Sequence, residues 1–210
     1  MPHALTLLLA TLLPAHLPAP DTSDCPPPRV FEPGIVSLPT RWEWRWARSP
    51  TGELAAWNIS DDFTPLNPQS TIVLSERCDG HWSPERVAPF SGQYDDLDAF
   101  FSLDGKSLFF SSDRPTTTRG RGDFDLWRVD ATGTGWSEPV HLGDAVNSGK
   151  DELYPSVDRE GTLYFGSNRD GQFDVWRSRR GSDGRYGAAE RLDAAVNSTD
   201  YWEFNPEISP

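Results

Sequence analysis

The sequence predicts an all-β fold, a β-propeller of four-stranded antiparallel blades. Three observations carry this. The chain repeats itself: Gly105 and Gly161 stand 56 positions apart and Trp127 and Trp176 stand 49 apart, a period in the range of propeller blades. Each repeat holds short apolar runs rich in Phe, Tyr, Trp, Val and Leu, bounded by Gly, Asp, Asn and Ser. That is the pattern of short strands joined by tight turns. Finally, 19 Pro and 17 Gly in 210 residues are too many helix breakers for a helical bundle.

In chain order, residues 1–19 read as a secretory signal. Ala4 to Leu13 is an apolar run shorter than the roughly 20 residues that span a bilayer, and small residues and prolines follow it. No Lys or Arg precedes it. Residues 20–28 form a Pro-rich linker, since consecutive prolines favour an extended chain. Residues 29–40 are expected to supply a closing strand. Ile35-Val36-Ser37-Leu38 precedes Arg41-Trp42-Glu43 as Ala195-Val196-Asn197-Ser198 precedes Tyr201-Trp202-Glu203, which places this segment at the end of a unit. Blades are predicted over 41–92, 93–148 and 149–200, with 201–210 beginning a fourth. The expected object is an incomplete ring, a fragment of a longer propeller.

The repeats align at many ordered landmarks. Asp96 to Arg114 (DLDAFFSLDGKSLFFSSDR) matches Glu152 to Arg169 (ELYPSVDREGTLYFGSNR). Phe124-Asp125-Leu126-Trp127-Arg128 matches Phe173-Asp174-Val175-Trp176-Arg177, and both units close on Ala-Val-Asn-Ser, at 145–148 and 195–198. The loop Pro115 to Gly122 replaces a tight Asp170-Gly171 turn and accounts for most of the difference in period. A degenerate first copy runs from Glu43 through Gly52, Thr71 to Leu74 and His81-Trp82-Ser83-Pro84. A lone blade cannot bury both faces, so such repeats stack around an axis.

Composition removes several function classes. With 32 acidic and 19 basic residues the net charge is −13, which argues against nucleic-acid partners and anionic membrane surfaces. Four His and two Cys are poor stock for a zinc site. The sequence has no G-x-S-x-G, H-E-x-x-H, G-x-G-x-x-G or P-loop, so neither catalysis nor a cofactor is expected. No membrane insertion is expected after signal removal.

The phrases SLDGKSLFFSSDR, GDFDLWRVD, GWSEPVHLGDAVNS and NPEISP resemble the TolB-like, WD-type β-propeller repeats of bacterial envelope proteins. The resemblance covers roughly residues 41 to 210 and weakens in the first unit, which has no Asp-x-Trp. It implies a non-catalytic scaffold, periplasmic or secreted, that contacts another envelope protein. Related propellers also stand beside peptidase domains and in carbohydrate-processing proteins.

Four carboxylates recur at one repeat position: Glu43, Asp96, Glu152 and Glu203. A ring of them around one channel mouth would draw a basic or cationic ligand. The alternative is that each bonds amides of a neighbouring turn. Arg114, Arg119 and Arg121 in and beside the inserted loop are candidates for a partner contact. Cys25 and Cys78 are a candidate disulfide in an oxidising compartment, with two free thiols as the alternative. Trp42, Trp44 and Trp46 alternate along one strand, either as a stacking platform or as blade filling. Asn168 to Asp174 is oxygen-rich but lacks the spacing of a calcium loop, and reads as a hairpin turn. The function expected is an exported non-catalytic binding scaffold. The alternatives are the accessory propeller of a hydrolase, and a metal-dependent sugar-binding propeller.

Overall fold

The structure is a computed structural model that describes residues 29–60, 69–116, 120 and 122–208. Strands β1 (Trp42–Arg48), β2 (Leu54–Ser60) and β3 (Thr71–Cys78) form an antiparallel sheet, edged by the short β4 (His81–Trp82) and β5 (Arg86–Val87). The second sheet takes β6 (Asp96–Phe101), β7 (Ser107–Ser112) and β8 (Asp125–Thr132), edged by β9 (Gly135–Trp136) and β10 (Val140–His141). The third orders β11 (Glu152–Val157), β12 (Leu163–Ser167), β13 (Asp174–Ser178) and β14 (Glu190–Arg191). The edge strand is broken in the first two sheets around Pro84 and Pro139, where a residue without an N–H cannot continue the ladder. These are the blades of an incomplete propeller.

Blades 1 and 2 bury apolar residues on both faces, which explains their apolar runs. Blade 2 shows the alternation expected of a strand. Phe101, Leu108, Phe110 and Trp127 pack on Ala56, Ile72 and Leu74 of blade 1. Phe100, Phe109 and Leu126 pack on Val157, Leu163, Phe165 and Trp176 of blade 3. The other face of blade 1 buries Ala55, Trp57, Val73 and Trp82 beneath Val36.

The segment expected to be a closing strand is a turn instead. Ile35 N and Val36 N both donate to Glu32 O, and its only ladder contact among the described residues is the Pro33–Ser37 bridge. Pro33 lacks a donor and Gly34 sits at φ +85, so the local sequence favours a turn. The Ala-Val-Asn-Ser turns bond the same way. Val146 N and Asn147 N donate to Gly143 O, and Val196 N and Asn197 N to Asp193 O. Residues 32–38 therefore fold as the final turn of a blade.

The repeated Asn of that turn has a definite role. Asn147 Oδ1 accepts from Leu126 N at 2.7 Å and its Nδ2 donates to Leu126 O; Asn197 does the same for Val175. One side chain thus satisfies both backbone groups of a buried strand residue where the edge strand has ended. The Asp of Phe-Asp-x-Trp ties that strand to the edge, Asp174 to Arg191 at 2.7 Å and Asp125 to His141 at 3.1 Å.

Every inner strand carries a bulge two residues after its recurrent carboxylate. The register shifts between Trp44 and Ala47, between Leu97 and Phe100, and between Leu153 and Ser156. The residues at the bulges are Arg45, Asp98 and Tyr154, with φ of 54, 57 and 56, and Asn205 occupies the same place in the last segment with φ 61. A left-handed non-glycine residue is uncommon, and bulges re-aim side chains. Here they aim them toward the axis.

Candidate functional site

The recurrent carboxylates do not form an open ring. Asp96 and Glu152 are buried latches between neighbouring blades, which corrects the expected carboxylate ring, while Glu43 and Glu203 are half-buried and bond neighbouring turns. Glu152 is fully buried. It accepts from Ser148 N at 2.8 Å and Ser148 Oγ at 2.7 Å, at the end of blade 2. From blade 3 it accepts from Ser167 Oγ at 2.6 Å and Arg169 Nη2 at 3.0 Å. Arg169 continues to Val146 O and lies 4.5 Å from the Trp176 ring centroid. Asp96 repeats the arrangement with Ser91 Oγ at 2.7 Å and Arg114 Nη2 at 2.6 Å, and Arg114 reaches Phe90 O. Glu203 accepts from Ser198 N and Oγ. Glu43 accepts from Leu38 N at 3.1 Å and from Arg41, which also binds Glu85. Burial pushes the Glu152 carboxyl above its usual range, against the pull of its hydroxyl, amide and guanidinium partners.

Arg114 is likewise a structural residue, 8 % exposed and stacked near Phe110 and Trp127. It is not available as a partner contact. Arg119 and Arg121 lie outside the described residues. So does Cys25; Cys78 ends β3, exposed. The signal and linker, residues 1–28, also fall outside them. Of the alternating tryptophans, Trp46 stacks on Trp57 at 5.1 Å and meets Trp82 edge-on, while Trp42 is 60 % exposed. Gly171 N donates to Asn168 O and has φ 109, so Asp170-Gly171 is a hairpin turn. Among the described residues no group of three or more His, Cys, Asp or Glu is placed to hold a metal ion. No helix among them is long and apolar enough to cross a membrane.

The residues that meet at the axis are the bulge residues. Arg45 bonds Asn205 Oδ1, donates to Pro155 O at 3.4 Å and lies 3.4 Å from Glu207. Its guanidinium carbon is 6.0 Å from the Tyr154 ring centroid. Tyr154 N donates to Asp98 Oδ2 at 3.2 Å, and Asn58 in β2 fixes that bulge by accepting from Asp98 N at 3.0 Å. Asp98 is 2 % exposed, and burial pushes its carboxyl up to about 7, with Arg45 pulling the other way. Burial also raises the Tyr154 hydroxyl, with the Asp98 carboxylate adding to the effect.

Arg45 separates two cavities. One, of about 630 Å³, is lined by Trp42, Glu43, Trp44, Trp46, Tyr154 and Asn205 as well as Arg45. The other, of about 530 Å³, includes Arg45, Arg48, Phe100, Arg159, Glu207 and Ile208. Both fall in the size range of ligand pockets. Arginine, tyrosine, asparagine and tryptophan beside a half-neutral buried carboxyl make a site suited to holding polar and planar groups.

Sequence reasoning passed over these axial residues because they are not repeated. Their signal is that very irregularity. At the second position after the carboxylate, Arg, Asp, Tyr and Asn follow one another, while the carboxylate and the apolar residue after it recur.

No family model matches the chain, and no curated protein matches it. Solved structures do. TolB from Acinetobacter baumannii superposes with a TM-score of 0.51 at 19 % identity, over 75 % of this chain and 33 % of that one. A puromycin-hydrolyzing peptidase of Mycobacterium tuberculosis superposes with a TM-score of 0.52 at 16 % identity, over 70 % of this chain and 22 % of that one. The fold is a propeller's. The chain spans at most about a third of the length of either protein, and at these identities the likeness concerns the fold alone.

Proposed function

We propose that the chain is an exported, non-catalytic propeller scaffold of the TolB-like, WD-type repeat class, which holds another envelope protein at its axial cavity. The observation that carries this reading is the axial site itself. In each blade the repeated residues are consumed by latches, turns and core, while the bulge position, which changes from Arg45 to Asp98, Tyr154 and Asn205, faces the axis. A site freed of structural duty is where recognition is placed. Export is supported by the leader motif in residues 1–19, and the family by the quoted repeat phrases.

Two measurements test the reading. Residues 1–28 fused to alkaline phosphatase should give an active periplasmic enzyme; an inactive fusion contradicts export. A photo-crosslinking amino acid at Trp42, on the rim of the axial cavity, should give one discrete adduct with an envelope protein. Adducts no more discrete than those from exposed Val87 on an edge strand contradict a partner at the axis.

The second reading is an accessory propeller of a hydrolase, and the superposition on the peptidase favours it. It predicts that a catalytic polypeptide is the species crosslinked at Trp42, with peptidase or glycosidase activity co-purifying.

A further inference from the structure

One axial cavity carries a charge opposite in sign to that of the chain. Arg45, Arg48 and Arg159 all line the smaller of the two cavities, against one carboxylate on its wall, Glu207. Asp98 behind Arg45 is held half-neutral near pH 7. Arg48 and Arg159 are exposed, and among the described residues neither has an ion-pair partner. Leaving two arginines unpaired at one cavity is unexpected in a chain of net charge −13, where carboxylates are plentiful. Low-dielectric walls such as Phe100, Phe101 and Ile208 concentrate such a field on the cavity.

The chain also shows how such a cavity holds a peptide. Residues 203–208 run without strand pairing along the axis. Glu207 sets its carboxylate 3.4 Å from Arg45 while 67 % exposed, and Ile208 N donates to Ser156 Oγ at 3.0 Å. A carboxylate on the guanidinium, an apolar side chain on the cavity wall and a backbone amide on a hydroxyl are three elements of peptide recognition. Glu207 is loosely held, so a competing carboxylate can take its place.

We propose that this cavity binds an acidic peptide segment of a partner, seating a carboxylate on Arg45, Arg48 and Arg159 in place of Glu207. The inference rests on the scaffold reading and narrows its partner to one that presents an acidic, extended segment. It reverses the cationic ligand that the sequence suggests, because the recurrent carboxylates are spent inside the blade latches. Arginine suits the role, since its planar fork matches a carboxylate.

The test is fluorescence anisotropy on the full chain. The probe is a fluorescein-labelled peptide copying residues 203–208, beside a copy with the Glu207 position changed to Gln and a lysine-rich peptide of equal length. The acidic peptide should bind saturably and more weakly as salt rises, with the Gln copy and the basic peptide at least about fivefold weaker, the scale of one or two charge contacts. Arg48→Glu and Arg159→Glu, both at exposed sites, should each weaken binding about tenfold. Glu207→Gln in the protein should strengthen it by removing the internal competitor. Equal binding of the acidic and Gln peptides, or unchanged affinity in both charge-reversal variants, overturns the inference. A chain that still crosslinks an envelope protein from Trp42 while ignoring the acidic peptide refutes this inference and leaves the scaffold reading standing. Loss of both refutes the reading as well.

Discussion

Replacing Glu152 by Ala tests whether the recurrent carboxylates hold the blades together. Four donors converge on this fully buried side chain, at 2.6 to 3.0 Å. Its removal strands the Arg169 guanidinium, which is 16 % exposed, and leaves the Ser148 amide without its acceptor. Breaking one partner of a buried pair costs about 3–5 kcal/mol. The residual exposure of Arg169 and its stacking on Trp176 place the expected loss near the lower end, about 3 kcal/mol. With a urea m-value of about 2 kcal/mol/M, the midpoint falls by about 1.5 M. Glu203 makes the same bonds to Ser198, but among the described residues no arginine hydrogen-bonds it and Arg191 acts on it only through space, so Glu203→Ala should cost only about 1 kcal/mol. A double-mutant cycle with Arg169→Met isolates the pair and should give at least about 1.5 kcal/mol of coupling. The reasoning fails if Glu152→Ala costs no more than Glu203→Ala, or if it costs as much in the Arg169→Met background as in the wild type.

Three further outcomes are expected. In the core, Asn147→Ala removes the acceptor of Leu126 N and one of the two donors to Leu126 O, which keeps Leu142 N, and should lose about 1–2 kcal/mol in urea denaturation; an effect below about 0.5 kcal/mol contradicts its role as a surrogate edge strand. Asp98 binds its proton up to about 7 when folded and releases it near 3.8 in the unfolded chain. Its contribution to stability therefore declines as pH rises through that window and is level above it, by up to about 4 kcal/mol. Asp98→Asn should remove this decline, so the variant gains on the wild type from pH 4 to pH 8; parallel stability–pH curves contradict it. At the bulge, Tyr154 sits at φ 56, so Tyr154→Val should be about 1–2 kcal/mol less stable than Tyr154→Asn, because branched side chains resist the left-handed region. Calorimetric melting of the two variants decides this.

Much of the architecture is legible in the sequence because it is repeated. Phe-Asp-x-Trp marks the third strand of blades 2 and 3, and Ala-Val-Asn-Ser marks the turn that ends them. The depth of a repeated residue is not legible. Glu152 and Glu203 look alike in the sequence, yet one is sealed between two blades on an arginine while the other is half-buried and bonds Ser198. A charged residue at a strand start reads equally well as a mouth or as a latch until the neighbouring blade is in place. The turn at 32–38 shows the reverse case. Its alignment with Ala-Val-Asn-Ser places it at the end of a unit, and Pro33-Gly34 favours a turn there over the strand expected from that position. The axial residues are not legible in the repeat, because a repeat singles out positions that recur and the bulge position does not.

The central claim is a division of labour, with the repeated carboxylates holding the blades and the unrepeated axial residues holding the partner. Crosslinking yield from Trp42 in an Arg45→Asn variant tests it most directly, since Asn tolerates the left-handed backbone at that bulge. The account predicts loss of the adduct with a urea midpoint close to that of the wild type. An undiminished adduct, or one lost only in step with stability, would contradict it.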